Sequence, residues 1–186
     1  DDLPITPHEH RFMLLKPDDF AARVSALGIG DDTLVVFYSR TQPFWSTRAW
    51  WALYAMGFDG AKVLNGGYAA WTAAEMPVST DEDSYPPASF SARARAGVIY
   101  DKGDVLAVLD DPNVSVVNAL SAEQYHGTGG IVFGRPGRIA NSTNVPYADV
   151  CDMATGVFAD AAVLRRILAD AGATPDKKVV NYCGGG

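Results

Sequence analysis

Apolar positions along the chain follow two patterns in turn, and their alternation sets the expected fold. Pro17-Asp18-Asp19 opens a helix with proline at the first helical position and carboxylates in the first turn. Phe20, Val24 and Leu27 then share one face, and Gly28 ends the helix. Thr33 to Tyr38 (TLVVFY) is β-branched and apolar without alternation, the pattern of a strand buried on both faces of a parallel sheet. Ser46 to Met56 returns to helical spacing, with Trp50, Leu53 and Tyr54 ahead of a stop at Gly57. Ala61 to Leu64 reads as another strand, and Asn65-Gly66-Gly67 turns into a helix over Tyr68 to Ala74. Strand, helix, strand, helix in this order predicts an α/β fold with right-handed crossovers between parallel strands.

The pattern breaks over residues 75–90, where Pro77, Pro86 and Pro87 flank Asp81, Glu82 and Asp83 without periodicity, as in an interdomain linker. It then restarts. A helix is expected near Asp101 to Asp111, a strand over Val114 to Asn118, and a long glycine-rich loop from Gly127 to Thr143. A further helix over about Asp160 to Ala171 precedes a strand, Lys178 to Tyr182, which runs directly into Cys183-Gly184-Gly185-Gly186. Aligning the halves by their strands sets Phe37-Tyr38-Ser39 against Asn181-Tyr182-Cys183, a weak internal repeat.

Composition narrows the function. The 186 residues are 48% apolar and 20% charged, well outside the regime of disorder. A formal charge of -7 and a sequence pI near 4.8 leave no basic stripe for phosphates, so a nucleic-acid partner is not expected. No apolar run approaches the roughly 18 residues of a membrane span. Two cysteines in a chain of this size fit a reducing compartment, with the cytoplasm as the default. The oligomeric state is not readable.

The candidate chemistry centres on Cys183. A thiol where a buried strand gives way to three glycines is presented at the carboxyl edge of a parallel sheet, where α/β proteins place their ligands. Successive N–H groups in such a turn can form an anion-binding nest that stabilises a thiolate. The competing reading, a small buried hydrophobe, explains the cysteine but not the glycines after it. Cys151, in VPYADVCDM, has no such loop and reads as packing; nothing in the spacing requires a disulfide between the two. His8, His10 and His126 are scattered without metal-ligand spacing, so no metal is expected. The glycines at 66–67 and 127–137 fit no phosphate or dinucleotide motif, and no cofactor is implied. Trp50 and Trp51 face different sides of their helix, one toward core, while Arg48 is left as exposed or interfacial.

These residues resemble the tandem rhodanese family, which includes thiosulfate and mercaptopyruvate sulfurtransferases. STRAWWALYAMGFDGAKVLNGGYAAW, Ser46 to Trp71, is similar to the end of that family's non-catalytic first module. VVNALSAEQYHG, GRIANSTNVPYADV and VVNYCGGG are similar to its second. The resemblance implies two rhodanese-like modules, each a parallel sheet flanked by helices. Residues 1–80 form a partial N-terminal module, 81–97 a linker, and 98–186 a catalytic module that stops within the active-site loop. It implies that Cys183 takes a sulfane sulfur from a small-molecule donor, becomes a persulfide and passes the sulfur to a thiophilic acceptor. Gly184, Gly185 and Gly186 would hold the anion. Ser39 stands at the matching place of the first module, which is then catalytically silent.

The family's second module ends its first strand in Asp-x-Arg, where this chain has Asn118 and Leu120, and Gln124 replaces a second arginine. Arg135 and Arg138, in GRPGRI, are the nearest basic substitutes; loop arginines are commonly just solvated. These departures leave the donor open and weigh against thiosulfate. They also keep a second reading in play, a catalytically inactive rhodanese-like binding or regulatory module. A cysteine-dependent phosphatase on a related fold is the third.

Overall fold

A computed structural model describes residues 13–131 and 135–184. The chain divides into two compact units, one of residues 1–99 with Met153–Val157, the other of residues 100–152 with 158–186.

The first unit begins with α1 (Pro17–Ala26), whose Phe20 and Val24 are fully buried as the apolar spacing requires. β1 (Val35–Phe37) pairs in parallel with β2 (Ala61–Val63), and α2 (Pro43–Ala55) connects them. α2 starts three residues before the expected Ser46, because Pro43 supplies a ready-made first helical position. α3 (Gly67–Ala73) follows. The expectation that TLVVFY is buried on both faces is corrected. Among the described residues this sheet has two strands, and Val36 remains 51% exposed. The core gathers Phe20, Val24, Leu53, Met56, Phe58 and Phe90. Trp50 packs against that core and donates its indole N–H to the Ala61 carbonyl at 3.2 Å, whereas Trp51 is exposed and Arg48 half-buried.

The stretch expected to be a linker contains no helix or strand, yet from residue 88 onward it lies along the first unit. Ala88 N–H donates to the Ser25 carbonyl, and Arg93 and Arg95 N–H to the Met56 and Ala55 carbonyls, at 2.8–2.9 Å. Phe90, 6% exposed, lies 5.4 Å from Phe58 and 6.1 Å from Phe20 between ring centroids. Asp31 accepts from the Ser91 N–H at 2.7 Å and from its hydroxyl at 2.8 Å, bonds that hold its carboxyl below the usual range. An apolar residue every few positions (Phe90, Ala92) is what the proline-and-acid reading overlooked.

The second unit is built on a three-stranded parallel sheet in the order β4-β3-β5. β3 (Val114–Asn118) is central and buried from Ser115 on; β5 (Lys178–Tyr182) pairs with it along its whole length, setting Asn118 opposite Tyr182. β4 (Thr143–Asn144) pairs on the other side. α4 (Lys102–Val108), α5 (Ala122–His126), α6 (Tyr147–Val150) and α7 (Ala161–Asp170) make the connections. α4 and α5 each begin with a reciprocal capping box, Asp101 with Asp104 and Ser121 with Gln124. Val117, Val145 and Ala173 form the core, backed by Val150, Ile167 and Ala171. Among the described residues no helix is long and apolar enough to cross a membrane.

Candidate active site at the carboxyl edge of the second sheet

Parallel pairing brings the ends of β3 and β5 to one edge, and the two residues that follow those strands define the site. Cys183 comes immediately after β5 and is exposed. It lines a cleft of about 110 Å³ together with Asn118, Leu120, Gln124, Arg135, Tyr182 and Gly184. The cleft is smaller than the pockets of drug-sized ligands and suits a ligand of few atoms. Arg135 is the one charged side chain among its described lining residues, so its field favours an anion.

The edge is wired by backbone and amide hydrogen bonds. Ala119 N–H continues the ladder past β3 by donating to the Tyr182 carbonyl at 2.9 Å. Asn118, 1% exposed, accepts at Oδ1 from the Leu120 N–H at 2.9 Å, which turns the chain away from the strand. Asn144 on β4 donates its amide to the Leu120 carbonyl at 2.9 Å and the Asn118 carbonyl at 3.1 Å. The Tyr182 hydroxyl accepts the Ile139 N–H at 3.0 Å and shares a 2.9 Å hydrogen bond with Ser142 Oγ. The Tyr125 hydroxyl donates to the Ser142 carbonyl. Gln124 Nε2 donates to the Ile131 carbonyl at 2.9 Å, and Gly130 fits beneath it at φ +78°, where a Cβ would come 2.6 Å from Gln124 Cγ.

Of the residues singled out from the sequence, Cys183, Gly184 and Arg135 meet in this cleft. Arg138 does not line it; its guanidinium lies over the Tyr125 ring, 4.7 Å from the centroid. Gly185 and Gly186, like His8 and His10, lie outside the described residues. Cys151 is 4% exposed, burial pushes its thiol pKa up, and it is not joined to Cys183 by a disulfide. His126 ends α5 with its ring edge against Tyr125. Among the described residues no three His, Cys, Asp or Glu side chains gather as a metal site. Sequence reasoning missed Tyr182, Ser142, Asn144 and Tyr125. For Tyr182 and Asn144 the one signal was a polar or aromatic residue at a strand end, which alone does not say who meets whom; Tyr125, in α5, and Ser142, just before β4, gave none.

Solved structures define the class. SseA from Escherichia coli, described as a 3-mercaptopyruvate sulfotransferase, superposes with a TM-score of 0.85 at 24% identity, covering 99% of this chain and 69% of that one. The Tum1 protein of Saccharomyces cerevisiae gives 0.82 at 22% identity, covering 99% and 67%. The fold is therefore the rhodanese fold, an α/β arrangement of parallel sheets flanked by helices.

Sequence carries this further. A rhodanese-like domain model matches residues 6–74. The 3-mercaptopyruvate sulfurtransferase of Mus musculus is 29% identical over 188 residues, covering 97% of this chain and 61% of that protein. Sulfur carrier protein TtuD of Thermus thermophilus is 28% identical, covering 91% and 63%. Thiosulfate sulfurtransferase of Cricetulus griseus is 31% identical over 147 residues, covering 76% and 50%. Residues 6–74 therefore carry a rhodanese-like domain, and the chain is similar to rhodanese-like sulfurtransferases over most of its length. It spans less than two thirds of the length of each of these three relatives.

Proposed function

We propose that the protein is a sulfurtransferase of two rhodanese-like modules, residues 1–80 and 98–186 joined through 81–97, with Cys183 as its sulfur-carrying nucleophile. The observation that carries this reading is an exposed cysteine at the end of β5, in a cleft where Arg135 is the one charged side chain among the described lining residues. Relatives named as sulfurtransferases favour transfer over an inactive binding module. Ser39, after β1, holds the matching position in the first module and makes it a structural half.

The chemistry runs in two displacements. The Cys183 thiolate attacks the outer sulfur of the donor and forms an S–S bond. The bond holding that sulfur breaks, and the leaving group departs with the electron pair, as sulfite from thiosulfate or as pyruvate enolate, which takes up a proton, from mercaptopyruvate. A thiophilic acceptor then takes the terminal sulfur, and the Cys183 thiolate is restored. Arg135 draws in the donor's negative charge, and Gly184 lies beside the thiol that bears the persulfide. The cycle needs Cys183 reduced, which fits a cytoplasmic setting.

Intact mass after incubation with thiosulfate or 3-mercaptopyruvate tests this. A reducible gain of one sulfur that maps to Cys183 is expected, lost in Cys183→Ser and kept in Cys151→Ser. No gain with either donor, or equal loss from both substitutions, overturns the assignment.

A further inference from the structure

Asn118 combines two properties that rarely coincide, being 1% exposed and yet lining the cleft that holds Cys183. A buried carboxamide is costly unless its groups are hydrogen-bonded. Its oxygen is: Oδ1 takes the Leu120 N–H at 2.9 Å and Asn144 Nδ2 at 3.3 Å. Its main-chain carbonyl is also engaged, by the Val145 N–H at 2.9 Å and Asn144 Nδ2 at 3.1 Å. A backbone N–H can be met only by the oxygen, so these contacts fix which way the amide faces. The NH₂ group has no partner among the described residues, and it is the group that Asn118 can offer to an occupant of the cleft.

We propose that Asn118 is a substrate-binding residue: its Nδ2 donates to an anionic oxygen, carboxylate or sulfonate, of the sulfur donor seated against Cys183. This rests on the sulfur-transfer reading above and adds to it the group that selects for an anion. The residue type matters as much as the donor hydrogen. An aspartate at 118 satisfies the same turn through one oxygen and sets the other, negatively charged, toward the cleft. The neutral amide leaves Arg135 as the one charge among the described lining residues. Arg135 then attracts the anion and Asn118 orients it.

The test compares Asn118→Asp and Asn118→Ser with the unsubstituted protein. The serine hydroxyl can still accept the Leu120 N–H, so that variant keeps the turn and removes only the cleft-facing donor if the aspartate variant fails to fold. The first readout is the rate of Cys183 alkylation by iodoacetate relative to iodoacetamide. Changes in thiolate population affect both reagents alike and cancel in the ratio. Asn118→Ser is expected to lower the ratio about tenfold, the loss of one hydrogen bond to a charged acceptor, and Asn118→Asp to lower it further. A change below twofold in Asn118→Ser overturns the proposal.

The second readout is steady-state transfer, with KM rising by a similar factor and kcat little changed. A rise confined to 3-mercaptopyruvate identifies a carboxylate contact, and one confined to thiosulfate a sulfonate contact. An unchanged KM for both overturns the proposal. If the unsubstituted protein forms no persulfide while the alkylation ratio still shifts, sulfur transfer fails and the anion contact at Asn118 stands.

Discussion

Arg135 and Arg138 lie three residues apart on one exposed loop, and their side chains are put to different uses. Arg135 lines the Cys183 cleft, whereas Arg138 covers the Tyr125 ring. Arg135→Ala should therefore raise KM for an anionic donor about tenfold. Arg138→Ala should leave KM within twofold and lower stability by about 0.5–1 kcal/mol, the scale of an exposed cation–π contact. Steady-state kinetics and denaturant unfolding of the two variants separate these effects; equal KM changes would mean that the loop acts as one unit. Residues of this kind are only partly legible in a sequence. Cys183 was, because an apolar strand running into three glycines leaves the thiol no core to fill. Asn118 read merely as a missing acid, since its role depends on Asn144, which reaches it through a pairing of two-residue β4 that no periodicity announces.

At the scale of elements, the same hydroxyl fastens a loop to a strand. Tyr182 ends β5, and its hydroxyl takes the Ile139 N–H just past Arg138. The segment that carries the cleft's arginine is thereby tied to the strand that carries its cysteine. Tyr182→Phe leaves that N–H without its acceptor, while Ser142 Oγ keeps its 2.6 Å bond to the Ile139 carbonyl; the change should cost about 1–3 kcal/mol and speed amide exchange at Ile139. Unchanged exchange there would show that the loop is held by other contacts. β3 and β5 were readable to the residue because each is a short valine-containing run behind a turn-forming segment, Asp111-Pro112-Asn113 before β3 and Thr174-Pro175-Asp176 before β5. The loop over 127–143 hid α5's influence. Its S-x-x-Q capping box at Ser121 and Gln124 was present as a signal, but five helical residues are too few for apolar periodicity.

On the scale of the whole molecule, the stretch between the predicted modules adds to stability as well as connecting them. Phe90 closes the first unit's core between Phe20 and Phe58, so Phe90→Ala should destabilise that unit by about 3–5 kcal/mol. Chemical denaturation followed through the tryptophans reads this out, and a loss under about 1 kcal/mol would restore the plain-linker view. The α/β class was legible from the order of elements. The anchoring of 88–95 was not, because its hydrogen bonds go to the carbonyls of Ser25, Ala55 and Met56, far away in sequence.

All three strand pairings among the described residues are parallel, and this bears on how the chain leaves the ribosome. No strand here can zip to a neighbour through a tight hairpin. β3 is translated about sixty residues before β5, its full-length partner. At roughly 5–20 residues per second, that apolar edge waits on the order of 3–12 s for cover. During that interval the unpaired edge of β3, whose last residue Asn118 will line the Cys183 cleft, stays open to strand pairing with another chain.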